Sequence, residues 1–318
     1  MIKVGIIGGG GYTAGELIRV LLYHPEVEIG FVVSQSQTGR LVSDVHDDLV
    51  GECHLHFTDE VSFNVDVLFL CMGHGRSKTF MEEHDVPADI AVIDLSNDYR
   101  LADDFVYGLP ELHKATIQTH KRVANCGCFA TAIQLALLPL AKEQLLQSEV
   151  HVHAITGSTG AGQSPKSTTH FSWRNNNLSI YKAFNHQHLA EINQSLTFLQ
   201  PSFDHAINFL PVRGDFARGI YASAYVDCPL SEEEAYALYE SYYADDPFTH
   251  VTQQNPNLKQ VVNTNKCILH LEKHGDKLLI ISIIDNLLKG ASGQAVQNMN
   301  LAFGLAETTG LHLKSVVY

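Results

Sequence analysis

The chain reads as two domains of different kinds: an α/β domain with a parallel, doubly wound sheet, and an α+β domain whose sheet is mostly antiparallel. Three observations predict this. A length of 318 residues is too great for one small core. Strand-like apolar runs alternate with helical patterns through the first half, with a Gly-rich turn after the first of them. Beyond Gln147 strand-like runs come closer together, and the last two flank His274-Gly275-Asp276, a hairpin signal.

Residues 2–7 are rich in Val and Ile with little alternation, as a strand buried on both faces would be. Gly8 to Gly11 turn the chain into a helix over 12–23, with Leu17, Val20, Leu21 and Leu22 on its apolar face. Residues 27–33, 65–72 and 90–95 follow as strands, giving a right-handed doubly wound sheet. An apolar helical run covers 133–146. Strands are then expected at 150–156, 207–212, 219–226, 266–272 and 277–284, and a closing helix at about 293–305. Residues 157–187 form a long polar segment that suits a functional loop. The expected division is 1–127 with 291–318, and 128–290 as a catalytic and oligomerising domain.

Composition narrows the function. Hydrophobic content of 45% with 18% charged residues is ordinary for a globular protein. A net charge of −14 repels nucleic acid and anionic membrane, so neither is an expected partner, and any anion must be held by locally gathered positive groups. The 18 histidines scatter without metal-ligand spacing, and no metal is expected. The six cysteines include no CxxC pair and read as reduced thiols of a cytoplasmic protein. The first strand begins so early that no targeting segment is expected, and no apolar run approaches a membrane span.

The motifs carry chemistry. Glycines after a strand let the backbone bend, and the helix start then accepts a pyrophosphate, which makes Gly8, Gly11, Tyr12 and Thr13 candidates for a dinucleotide site of Rossmann type. The second strand ends in Ser34-Gln35-Ser36-Gln37-Thr38-Gly39-Arg40, with no carboxylate to select a 2′-hydroxyl. Ser34 and Arg40 therefore favour NADP(H). Asn125-Cys126-Gly127-Cys128 places a thiol at a turn-to-helix junction, where unpaired N–H groups favour thiolate. Cys128, nearer the helix, is the expected nucleophile. If Asn185 caps the next helix, His188 and Glu191 share a face at i, i+3, and an imidazole beside a carboxylate suits acid–base work. Arg213, Arg218 and the Gly/Ser loop with Ser158 and Gly160 are the candidates for holding an anionic substrate.

These residues resemble the N-acetyl-γ-glutamyl-phosphate reductase family, relatives of aspartate-semialdehyde dehydrogenase. The resemblance runs nearly end to end. It rests on Gly8 to Thr13, Asp94-Leu95-Ser96-Asn97-Asp98-Tyr99-Arg100, Tyr107 to Glu111, Asn125-x-Gly127-Cys128, Ser158-x-Gly160-Ala161-Gly162, His186-x-His188-x-x-Glu191, and the run from Asp285 to Asn298. It implies a Rossmann domain plus an α+β catalytic domain, Cys128 as nucleophile and an acid–base histidine within His186 and His188. It also places Ser96 and Asn298 with the cofactor and Asn125 with the substrate, a small acyl phosphate, in a dimer or tetramer. The chain departs from the family pattern where Cys126 and Ala130 replace the usual prolines, where Gln163 replaces a basic residue, in the exchanged order of Ala14 and Gly15, and in a longer segment from Arg213 to Arg218.

The implied reaction is NADPH-dependent reduction of an N-acyl-γ-glutamyl phosphate through a cysteine thioester, in arginine biosynthesis. Another thiol-dependent semialdehyde dehydrogenase and a non-catalytic dinucleotide sensor are the alternatives.

Overall fold

A computed structural model describes residues 1–317, which fall into two compact units. The first comprises Met1–Gly127 and Ala291–His312. Its elements begin with β1 (Ile2–Ile7), α1 (Tyr12–Leu22), β2 (Val27–Val33), β3 (Phe57–Thr58), β4 (Val67–Leu70) and α2 (Arg76–Glu83). They continue with β5 (Ala91–Asp94), β6 (Val106–Gly108), α3 (Pro110–Ile117) and β7 (Arg122–Asn125). Every pairing in this sheet is parallel, in the order β3-β2-β1-β4-β5-β7-β6. Strands leave β1 and β4 in opposite directions, so a crevice opens at the carboxyl ends of these two. Val4, Ile6, Val67, Leu68, Phe69 and Leu70 are buried, which explains their lack of alternation.

The second unit begins at Cys128. It contains α4 (Cys128–Lys142), β8 (Val150–Thr156), α5 (Phe171–Arg174), β9 (Ser179–Ile180), α6 (His188–Leu199), β10 (Ile207–Arg213) and β11 (Ile220–Asp227). Next come α7 (Glu232–Tyr242), β12 (Thr249–Val251), β13 (Cys267–His274) and β14 (Lys277–Ile284). The sheet order is β12-β13-β14-β11-β8-β10-β9. It is mixed, because β8 and β10 pair in parallel across a crossover that contains α6, and β12 runs parallel to β13. The pairings of β13, β14, β11 and β8 are antiparallel as expected. After Gly290 the chain rejoins the first unit as α8 (Ser292–Ala302), which packs against α1 and α3. The tail was expected to stay there through residue 318. From Leu313 it lies instead with the second unit, where Val316 N–H donates to Val262 O and Asn263 Nδ2 to Lys314 O.

Helix α4 starts at Cys128 itself, five residues before the apolar run seen in the sequence, and ends at Lys142. It packs on α6, α7, β11 and β14, and all of its residues from Phe129 to Ala141 are buried. Pro139 stands inside it and has no N–H to give the Leu135 carbonyl. Tyr243 Oη donates to that oxygen at 2.5 Å, and Tyr239 Oη donates to Ala136 O at 2.6 Å. Removing the first hydroxyl strands a buried acceptor, whereas Ala136 still has the N–H of Leu140 within the helix. Tyr243→Phe is therefore expected to cost about 1–3 kcal/mol and Tyr239→Phe about 1 kcal/mol. Urea unfolding of the two variants beside the parent checks the order.

Candidate active site

In the first unit, the four glycines after β1 divide into two kinds. A Cβ at Gly8 would meet Cys71 O at 2.9 Å, and one at Gly9 would meet Val32 Cγ1 at 2.2 Å, so packing closes both positions. Gly10 has only Ser34 Oγ and Gln37 Cγ near its Cβ position, and Gly11 has nothing within 4 Å. Gly11 is the N-cap of α1 and makes no side-chain cap bond. Open space thus faces the N–H groups of a helix start at the β1/β4 crevice, which suits a pyrophosphate. His46, which the sequence did not single out, braces the turn through Nε2, 2.7 Å from Gly9 O.

Tyr12 is exposed beside this turn, and Thr13 accepts a bond from Ser292 Oγ at its carbonyl. Ser34 is buried at the end of β2. Arg40 is exposed and held by Gln37 Oε1 at 2.7 Å and Asp44 O at 3.1 Å. Two further cofactor candidates do structural work with their side chains. Ser96 Oγ donates to Asp94 Oδ2 at 2.7 Å in a buried turn, and burial in turn raises the Asp94 pKa. Asn298 is fully buried, and its Nδ2 donates to Gly108 O and to Asn125 Oδ1. Asn125, a substrate candidate, is buried too, with Nδ2 on Ala291 O and its carbonyl accepting from Arg100 Nε. These amides fix the strand end that leads to Cys128.

The second unit gathers the reactive groups. Cys128 is the first residue of α4 and is partly exposed, while Cys126 is buried. Gly290 lies against it, and a Cβ there would stand 2.8 Å from Cys128 Cβ. Phe129 meets the His186 ring edge-on at 5.5 Å and the His188 ring at 6.3 Å. The two imidazoles are 4.5 Å apart. His188 N–H donates to His186 Nδ1 at 3.3 Å, which fixes the tautomer of His186. Glu191 Oε1 is 3.9 Å from His188 Nε2, an ion-pair separation and too long for a hydrogen bond.

The expected cap at Asn185 is corrected. Helix α6 begins at His188 with Gln187 at its N-cap, and Asn185 N–H donates instead to Lys182 O. The approach is strained, because Lys182 and Phe184 both hold left-handed backbone at φ 47° and 59°.

The Gly/Ser loop also departs from expectation. Ser158 N–H donates to Phe216 O at 2.8 Å, Thr159 N–H to Ala217 O at 3.1 Å, and Gly157 N–H to Gly219 O at 2.9 Å. Gly160 N–H and Gly162 N–H bond back within the loop. Backbone donors expected to cradle a phosphate are spent on docking the loop against 216–219. Gly157 has to be glycine there, since a Cβ would lie 2.3 Å from Ala217 O.

Arg213 ends β10 with its guanidinium 4.5 Å from the Tyr181 ring centre, and Arg218 pairs with buried Asp285 at 2.9 Å. The sequence did not single out Tyr181 or Arg174. Burial raises the Tyr181 pKa, and the charges of Arg213 and Cys128 both bear on it. Buried Arg174 donates to Arg213 O at 2.8 Å, to Thr168 O, to Asn177 O and to Ser179 Oγ, stapling the 167–180 segment to the end of β10. Their only signal was an aromatic or a cation within the long polar segment. Among the described residues no group of three or more His, Cys, Asp or Glu side chains is placed to hold a metal, and no helix is long and apolar enough to cross a membrane.

Two family models match the chain: the semialdehyde dehydrogenase NAD-binding domain over residues 3–120 and the semialdehyde dehydrogenase dimerisation domain over residues 128–286. Curated relatives named N-acetyl-gamma-glutamyl-phosphate reductase are similar throughout. Those of Parabacteroides distasonis and Bacteroides thetaiotaomicron are 62% and 63% identical over 318 residues, and that of Flavobacterium johnsoniae is 59% identical over 321 residues. Each alignment covers 99% of both chains. Among solved structures, aspartate semialdehyde dehydrogenase II of Vibrio cholerae complexed with ASA superposes with a TM-score of 0.76 at 16% identity, covering 96% of this chain and 98% of that one. The Candida albicans aspartate semialdehyde dehydrogenase with NADP gives 0.71 at 13%, covering 95% and 98%, a likeness of fold.

Cys53, Cys71, Cys126, Cys228 and Cys267 are buried, and burial further raises the Cys71 pKa. Brief iodoacetamide treatment near neutral pH should modify Cys128 at least tenfold faster than any of these, as read by peptide mass spectrometry.

Proposed function

We propose that this chain, which belongs to the semialdehyde dehydrogenase family and within it to the N-acetyl-γ-glutamyl-phosphate reductases, reduces an N-acyl-γ-glutamyl phosphate to the N-acyl-glutamate 5-semialdehyde and phosphate, with NADPH, in arginine biosynthesis. The observation that carries the reading is a partly exposed thiol at the first position of a buried helix, followed directly by a phenylalanine whose ring meets a pair of imidazoles.

Cys128 Sγ, its thiolate favoured by the helix start, attacks the acyl carbon. The bond from that carbon to the phosphate oxygen breaks, phosphate leaves, and a thioester remains on Sγ. Bound NADPH supplies the hydride that takes the acyl group to the aldehyde level. Sγ departs as the carbonyl re-forms. An imidazole of the His186/His188 pair accepts the thiol proton and presents it to the oxygen that carries charge at the tetrahedral stage, with buried Glu191 favouring the imidazolium. Backbone N–H groups at the start of α4 stabilise that oxygen.

The open Gly10–Gly11 edge and the uncapped start of α1 hold the pyrophosphate, and Ser34 with Arg40 takes the 2′-phosphate. Arg213 and Arg218 hold the substrate's anionic groups beside the loop of Ser158 and Gly160. The dimerisation-domain match supports a homodimer or tetramer, and the free thiols suit the cytoplasm.

The deciding assay follows NADP reduction with phosphate and N-acetyl-, N-succinyl-glutamate or aspartate semialdehyde. Phosphate-dependent turnover of an N-acyl-glutamate semialdehyde supports the reading, and turnover of aspartate semialdehyde alone replaces it. Cys128→Ser should abolish turnover while NADPH still binds, measured by nucleotide fluorescence. His188→Asn should lower kcat by about 10²-fold or more with KM changed less than threefold. An unchanged kcat moves the proton to His186.

A further inference from the structure

We propose that Asp285 is a positioning residue that acts through Arg218, presetting its guanidinium to hold an oxyanion of the substrate. The inference rests on the reductase reading and adds a residue and an order of action to it.

The Asp285 carboxylate is fully buried at the end of β14, where an unsatisfied charge would be costly. Its Oδ1 accepts from Leu287 N–H at 2.8 Å and Leu288 N–H at 3.2 Å. Its Oδ2 accepts from Asn263 N–H at 2.6 Å and lies 2.9 Å from Arg218 Nη2. Three backbone donors fix the plane of the carboxylate, so the place left for a guanidinium is fixed too. The pair has a closed end and an open end: the side chain of Asp285 is 0% exposed and that of Arg218 is 21% exposed.

Asn286 does the same for the backbone around Arg218. Its Oδ1 accepts from Gly219 N–H at 2.7 Å, and its Nδ2 donates to Thr159 Oγ1 at 3.0 Å. Thr159 Oγ1 donates in turn to Ala217 O at 2.6 Å. Both neighbours of Arg218 are thereby pinned. Gly290 N–H donates to Asp285 O at 2.9 Å, and Gly290 lies against Cys128. One turn, residues 285–290, links the thiol to the arginine. A planar fork fixed in advance loses less freedom when it takes a carboxylate or a phosphate oxyanion. Arg213 is held differently, with its guanidinium stacked on the Tyr181 ring.

The substrate side offers two oxyanions of this chemistry, the α-carboxylate of the glutamyl group and the phosphate. A double-mutant cycle of Asp285→Asn and Arg218→Met separates them. Steady-state rates are measured in the oxidative direction with NADP, phosphate and whichever of N-acetyl- or N-succinyl-glutamate semialdehyde the parent turns over faster. Asp285→Asn should raise one KM at least tenfold while kcat falls less than threefold. Arg218→Met should raise the same KM, and the double variant should be within twofold of Arg218→Met. A rise in the aldehyde KM assigns the α-carboxylate, and a rise in the phosphate KM assigns the phosphate. Any effect of Asp285→Asn that does not pass through Arg218, such as the lost acceptor for backbone amides, appears as a difference between the double variant and Arg218→Met. Additive effects, or both KM values unchanged, overturn the inference and leave the reductase reading standing. A parent without phosphate-dependent turnover takes down both. If Asp285→Asn gives no folded protein, Arg218→Ala with added guanidinium decides. A rescue of at least tenfold, absent with methylammonium, supports a guanidinium seat built by Asp285, and no rescue overturns it.

Discussion

Helix α4 is buried on all sides from Phe129 to Ala141, and the one residue ahead of them, Cys128, is partly open to solvent. Each large apolar side chain in such a helix contributes roughly 1.5–3 kcal/mol by leaving water, so the helix has one place to lie. Its position sets the rest. Phe129 carries the packing to the two imidazoles, and Gly290 lies against Cys128 Cβ. Even the interruption at Pro139 is absorbed, because a tyrosine of the segment after α7 supplies the donor that proline lacks.

Around this helix, polar groups are fixed mainly by backbone. Arg174 donates to carbonyls, Asp285 accepts from amides, and the 157–162 loop docks on 216–219 through its own N–H groups. Arg174, Arg213 and Arg218 thus lie in one unit of a chain whose net charge is −14. Rigid supports lower the ordering cost when a small anion arrives. The N–H groups of Gly157, Ser158 and Thr159 are already bonded within the protein and are not open to such an anion.

How much the sequence could disclose followed from which physics was local. Strand β1 was legible because its last four residues are buried in succession, β8 because its burial alternates, and the β13–β14 hairpin because Gly275 marks its turn. Strands β3 and β6, of two and three residues, have no room for a period, and Glu-rich α7 shows little apolar face. The parallel β8–β10 pairing was hidden because it depends on a crossover and not on either strand. At the site, the helix-start thiol and the His188–Glu191 spacing are local features and were readable. The wrong cap at Asn185 came from the left-handed backbone at Lys182 and Phe184, which residue type gives no reason to expect. Ser96 and Asn298 stood out as motif residues, while their tasks, bracing Asp94 and Asn125, depend on partners distant in the chain or in a buried turn.

Gly290 shows how far such a site constrains drift. No left-handed backbone demands a glycine there; what is missing is room, between Cys128 Cβ and the Asn286 backbone, each 2.8 Å from where a methyl would stand. The smallest change of codon meaning, glycine to alanine, would push directly on the carbon that bears the sulfur. A position with no side chain at all is thus kept empty by the residue that carries the thiol.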